Sequence, residues 1–312
     1  MLARRSGNPL DVDAGTVTRP VSRVAVKGIE AGENLLRVAV LAARHGSLRQ
    51  ALDSADSAER VFRQFSCVPG QLRALRYVGR LAFAIGDLDR AGAACDKGLA
   101  IAARHSQEEE QFRVHLLMAE AQLAQVDTHE QVRKVEHLLG RAQHSDMASL
   151  VARATRVLAW HHFEAGNLAL ARILGTEYKK QALALDAPSL RANAHLLMAA
   201  LHARLGGRTL ALKELAALTP LVRESRLPTD PQTDLATLGL LALDLQQNVI
   251  AAGAASALDS FEQSPGHCLR PSVQRHHLEI RSRLATSGDR IDVRPGIQGT
   301  ARAFEALLLQ AA

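Results

Sequence analysis

AIGDLDRAG, residues 84–92, has three near copies in the same chain: RHGSLRQAL at 44–52, EAGNLALAR at 164–172 and LGGRTLALK at 205–213. Their glycines, Gly46, Gly86, Gly166 and Gly206, fall on one 40-residue grid, the mark of a repeat architecture. The two empty grid positions read AQVDTHEQV at 124–132 and DLQQNVIAA at 244–252, where the glycine is absent. Seven residues before the grid stand Ala39, Gly79, Ala119, Ala159, Ala199 and Gly239, all small. Just before them stand Val38, Val78, Met118, Leu158, Met198 and Leu238, all apolar. Five residues after the grid stand Ala51, Ala91, Gln131, Ala171, Ala211 and Ala251. Three columns agreeing in one phase, without insertions, establish the repeat.

The unit reads as helix–turn–helix. Leu75, Val78, Ala82 and Ile85 recur at helical spacing before Gly86. The glycine then ends the first helix as a left-handed cap. Ser47, Asp87, Asp127 and Asn167 follow as N-caps of the second helix, with Ser47–Gln50 and Asp127–Glu130 spaced like capping boxes. Ser106, Asp230–Pro231 and Pro188–Ser189 mark starts of first helices. The small columns predict where helix backbones cross closely. Residues 32–266 are therefore expected to form six helical pairs. Residues 1–31, with Gly7, Pro9, Gly15, Pro20 and Gly28, read as a mostly disordered tail, and 267–312 as capping helices. Within that last part, 271–286 and 297–311 read as helices. Phe304, Leu307, Leu308 and Leu309 are expected to cover the end of the array, a dimer contact being the alternative use.

The small–Gly–Ala signature resembles the tetratricopeptide repeat family. Gly79, Gly86 and Ala91 carry it in one repeat; Ala39–Gly46–Ala51, Ala159–Gly166–Ala171 and Ala199–Gly206–Ala211 carry it in three others. The period departs from the family's shorter repeat, and the family's large aromatic and closing proline are mostly missing. Long repeats of this kind are similar to the sensor arms of bacterial MalT-type activators and peptide-pheromone receptors. The resemblance implies an all-α, right-handed superhelix, an α-solenoid whose first helices line a concave groove. The groove positions it implies are Arg73, Arg76, Arg80, Phe83, Arg113, Glu120, Arg153, Arg156, Trp160, Phe163 and Arg204. An acidic or amphipathic peptide anchored by Trp160 and Phe163 and steered by the arginines is the expected partner. The family's dicarboxylate clamp needs asparagines where this chain has Val40, Arg80 and Glu120, so that clamp is not expected. Glu110, Glu120 and Glu164 are the acids that would otherwise neutralise the arginines.

Composition bounds the alternatives. With 47% hydrophobic and 3% aromatic residues the chain suits Ala/Leu-rich helices better than a β-sandwich. A formal charge of +6 permits acidic partners or nucleic acid. The rival to a protein-binding scaffold is a nucleic-acid-binding helical solenoid, and a self-assembling structural protein is a third reading. Cys67, Cys95 and Cys268 form no CxxC, which points to a reducing compartment and away from a zinc site. No apolar stretch suggests a secretory signal or a membrane helix, so the cytoplasm is the expected location. No nucleotide, metalloprotease or hydrolase motif occurs, so no catalytic residue, metal or cofactor is expected. His161 and His162 point apart on a helix, while His162–His202 and His115–His195 hold equivalent positions in neighbouring repeats. They read as interhelical hydrogen-bonding groups.

Overall fold

The computed structural model describes residues 23–44, 47–123, 129–225, 231–263, 269, 271–287 and 300–311. Among them the regular structure is all helical. The helices are α1 (Arg23–Arg44), α2 (Leu48–Gln64), α3 (Val68–Ile85), α4 (Leu88–Arg104), α5 (Glu108–Leu123), α6 (His129–His144), α7 (Ala148–Glu164), α8 (Leu168–Ala184), α9 (Pro188–Arg204), α10 (Arg208–Ser225), α11 (Pro231–Asp244), α12 (Asn248–Glu262), α13 (Pro271–Ser287) and α14 (Thr300–Ala311).

Among the described residues, left-handed residues recur at half-repeat spacing. Gly86, Gly166 and Gly206 have φ of 83°, 76° and 77°. At the grid position without glycine, Gln246 adopts φ 59° all the same. Midway between grid positions, Ser66, Ser106, Asp146 and Asp186 have φ of 52°, 53°, 53° and 45°. One backbone bond recurs at both kinds of junction, from the residue after the left-handed one back to the last turn of the helix. Examples are Cys67 N–H to the Phe62 carbonyl at 2.8 Å, Asp87 to Ala82 at 2.9 Å and Gln247 to Ala242 at 2.7 Å. This is the Schellman closure of a helix C-terminus. It corrects the expected role of Ser106, which is a left-handed C-terminal residue; Gln107 takes the position before α5. Ser47 and Asn167 make no side-chain cap bond, whereas Asp87 accepts the Arg90 N–H at 3.1 Å. Gly46, Asp127 and Asp230 lie outside the described residues.

The small column lies in the core. Ala39, Ala159 and Ala199 are fully buried and Ala119 nearly so. At Gly239 a Cβ would stand 2.6 Å from Ile280 and 3.1 Å from Ala254, so a side chain at that crossing would force its neighbours to shift. Val38, on the first helix with no repeat before it, is 44% exposed, while Val78, Leu158 and Leu238 of the same column are buried. Helix α1 starts at Arg23, inside the stretch read as a tail. Gly28, read as part of that tail, is buried in α1 with the Phe65 ring against it, and Phe62, fully buried, lies against both Gly32 of α1 and Gly70 of α3.

Each helix from α1 to α9 packs on the next, and each odd helix from α1 to α11 also meets the next odd one. Successive even helices from α2 to α12 form no such extensive contacts among the described residues, so the odd helices make the tighter, inner layer of a helical solenoid. Helix α11 is buried almost all round, from Leu235 to Leu243, and draws in extra cover. Helix α13 stacks on α11 and α12. Helix α14 instead returns to lie against α10, α11 and α12. It buries Phe304, Leu307 and Leu308 and leaves Leu309 41% exposed, so Leu309 is not part of the cover.

The solenoid also meets itself. Gln232, at the start of α11 and fully buried, donates from Nε2 to the carbonyl of Ala84 near the end of α3 at 2.6 Å. These residues are 148 positions apart. Ala84 and Ile85 are buried beside it, and the core of the first repeats is continuous with that of the last. The inner layer thus curls far enough for its second unit to touch its sixth.

Candidate functional site

Curling leaves a cavity of about 400 Å³ inside the ring of odd helices. Helix α3 contributes Arg73, Arg76, Tyr77, Arg80, Phe83 and Ala84. Helix α5 contributes Glu110, Arg113, Leu116, Leu117 and Glu120. Helices α7 and α9 contribute Ser149, Leu150, Arg153, Arg156, Ser189, Leu190 and Asn193. Eight of the eleven sequence-predicted positions come together here: Arg73, Arg76, Arg80, Phe83, Arg113, Glu120, Arg153 and Arg156. Phe83 is 7% exposed and serves mainly as wall and core.

The charges are organised by ion pairs that cross repeats. Arg73 reaches Glu33, forty residues earlier. Arg76 donates to Glu110 at 2.5 Å, and Arg113 also binds Glu110, together with Glu109. Arg156 donates to Glu120 at 2.6 Å. Four carboxylates therefore serve four of the six arginines. Among the described residues neither Arg80 nor Arg153 has a carboxylate within ion-pair distance. The grid explains Arg153. Where Arg73 finds Glu33 one repeat back, Arg153 finds Arg113 one repeat back and Asn193 one repeat forward. Burial, then repulsion from Arg80 and Arg156, pushes Arg153 down to about 10, with Glu120 opposing and Arg76 adding to the fall. Arg76 is also lowered, by burial first, although Glu110 supports its charge. Both guanidiniums remain cationic at neutral pH. Burial likewise pushes the phenol of Tyr178, behind the cavity wall, up to about 12; its hydroxyl donates to the Leu190 carbonyl at 2.9 Å.

The remaining three positions form a second, filled station farther along the inner face. Trp160 and Phe163 meet edge to face with centroids 5.6 Å apart, and the Arg204 guanidinium lies 5.6 Å over the Phe163 ring. Arg204 donates to Asp244 at 3.1 Å, and Arg283 shares that carboxylate at 2.9 Å. Thr237, Leu240, Leu241 and His276 close around them and leave only about 10 Å³. The two aromatics read as peptide anchors thus do not line the arginine cavity.

No protein-family model matches the chain, and no curated protein matches it.

The sequence reading named Glu110 only as a neutralising acid and passed over Tyr77, Ser149, Ser189 and Asn193. Asn193 was findable, since it continues the column of Arg73, Arg113 and Arg153. The serines sit in the first turns of α7 and α9, and only the curl brings them to the cavity. Among the histidines, His195 bonds Glu214 at 2.7 Å, and Lys179 bonds the same carboxylate at 2.6 Å. Burial acts to raise Glu214, but these bonds overcome it and bring it down to about 2. The rings of His161 and His162 stand 5.1 Å apart, edge to face. No group of three metal-binding side chains occurs among the described residues. Cys95 is buried, and its thiol is pushed up to about 11 by burial and by Asp96; Cys268 lies outside the described residues. No described helix is long and apolar enough to cross a membrane.

Proposed function

We propose that this chain is a right-handed superhelix of about six tetratricopeptide-like repeats that holds an acidic or amphipathic segment of another protein on its inner face. It acts as a non-catalytic scaffold or adaptor in bacterial regulation, in the cytoplasm. The observation that carries this reading is the cavity in which α3, α5 and α7 present six arginines. Low-dielectric walls of Leu116, Leu117, Leu150 and Leu190 strengthen the field of those charges toward an incoming carboxylate. Arginine forks suit carboxylates, which favours an acidic segment over a basic or neutral one. The size of the cavity favours a few side chains over a nucleic-acid duplex, whose diameter exceeds it.

The test is fluorescence anisotropy with labelled oligoglutamate, oligolysine and duplex DNA at low and physiological salt. Oligoglutamate is expected to bind and to weaken with salt. Arg73→Glu and Arg80→Glu, both on the cavity, are each expected to weaken it by roughly tenfold or more. Binding of duplex DNA with a steep salt slope, and none of oligoglutamate, would favour the nucleic-acid solenoid instead.

A further inference from the structure

The ion pairs of the cavity leave a specific remainder. Six arginines face four carboxylates, and the two left over are Arg80 on α3 and Arg153 on α7. They are close enough to repel each other. A fold gains nothing in stability from holding two half-buried guanidiniums against one another, since desolvation and repulsion both oppose it. Every other arginine around the cavity is matched by an acid on its own or a neighbouring repeat. The mismatch is therefore local, and it sits on the inner surface that the Gln232–Ala84 contact closes.

We propose that the cavity is a site for a small phosphate monoester, its dianionic phosphoryl group held between Arg80 and Arg153. The inference rests on the reading of this cavity as the binding site and names its ligand class. A charge near two is what a phosphate monoester carries at neutral pH, and it cancels the remainder with one compact group. A single carboxylate cancels half of it. Two carboxylates on a peptide would have to enter side by side. The tetrahedral oxygens present edges to two guanidinium forks at once. Ser149, Ser189 and Asn193 provide further polar groups around the site, and Tyr77, Leu116 and Leu190 provide an apolar wall for the carrier. A volume of about 400 Å³ lies in the range of small-molecule sites. Because Arg80 and Arg153 come from helices two repeats apart, the bound anion ties α3 to α7 and tightens the same curl that Gln232 closes.

The experiment is isothermal titration of the full chain with phenyl phosphate at pH 7.5, with benzoate as the matched carrier of single charge and potassium chloride holding ionic strength constant. Phenyl phosphate is expected to bind, and benzoate at least about tenfold more weakly. Arg80→Gln and Arg153→Gln are each expected to weaken phenyl phosphate by at least about tenfold. Arg90→Gln, at an arginine of α4 outside the cavity that pairs with Asp56, is expected to change it by less than about threefold. Thermal melting of the free variants guards against misfolding: both Gln variants remove repulsion and are expected to melt no lower than the parent. No heat with phenyl phosphate, equal binding of benzoate, or wild-type affinity in Arg80→Gln and Arg153→Gln would overturn the proposal. Oligoglutamate is titrated in parallel. If it binds and phenyl phosphate does not, the phosphate site is wrong and the peptide scaffold stands; the reverse result removes the scaffold and keeps the site.

Discussion

At the Trp160 station, Arg204 lies over Phe163 and binds Asp244, and about 10 Å³ is left. At the Arg153 station, two helices back along the inner face, about 400 Å³ stays open, and two mutually repelling arginines have no acid partner among the described residues. Both stations are built on the same grid and by the same inner helices, and α7 runs through both. The difference comes from single residues in register. Arg80, Glu120 and Trp160 occupy one column, so one step holds a cation, the next an anion and the third a large ring. Repetition supplies the surface, and departures from repetition decide where it is filled. A repeat protein of this kind is best searched for function at the places where its columns stop agreeing.

Glu110→Gln strikes the matched part of the open station. Glu110 is the shared acceptor of Arg76 and Arg113, and its side chain is 14% exposed. Losing its charge leaves those guanidiniums poorly compensated, an expected cost of roughly 2–3 kcal/mol. Chemical denaturation checks it, and an unchanged midpoint would mean that the pairs contribute nothing. The same variant raises the unmatched charge, so anion affinity is expected to rise even as stability falls. Opposite movement of the two is what separates binding from structure here.

Trp160→Ala strikes the filled station, with a smaller expected effect. The ring is half-buried, so the loss is set at about 2 kcal/mol, below the range for fully buried aromatics. Phenyl phosphate and oligoglutamate binding at the cavity are expected to stay within about twofold of the parent. A large loss of either ligand with intact folding would show that the two stations act as one groove.

Much of this was legible in the residues. Small side chains at Ala39, Ala119, Ala159 and Ala199 can recur at one phase only if backbones cross there, and each is in the core. The grid also gave the glycine turns. It missed the second left-handed turn of the first four repeats, because Ser66, Ser106, Asp146 and Asp186 share a backbone shape but no single residue type. Short polar residues tolerate that conformation, so only the coordinates expose the column. The start of α1 was missed for a similar reason: Gly28 reads as flexible until Phe65 is seen lying against it. Eight of the predicted positions share one cavity because inner-face positions repeat at fixed offsets. Their separation from Trp160 and Phe163 was not legible, since it depends on the curl that joins Gln232 to Ala84. A contact 148 residues long in sequence has no local signature.

Crystals of the full chain grown with tungstate, a tetrahedral dianion with a strong anomalous signal, test the central claim most directly. The account predicts an anomalous peak between Arg80 and Arg153, with Arg76 and Arg156 still on their glutamates. A cavity empty of tungstate, with Arg80 and Arg153 each closed onto a carboxylate, would contradict it.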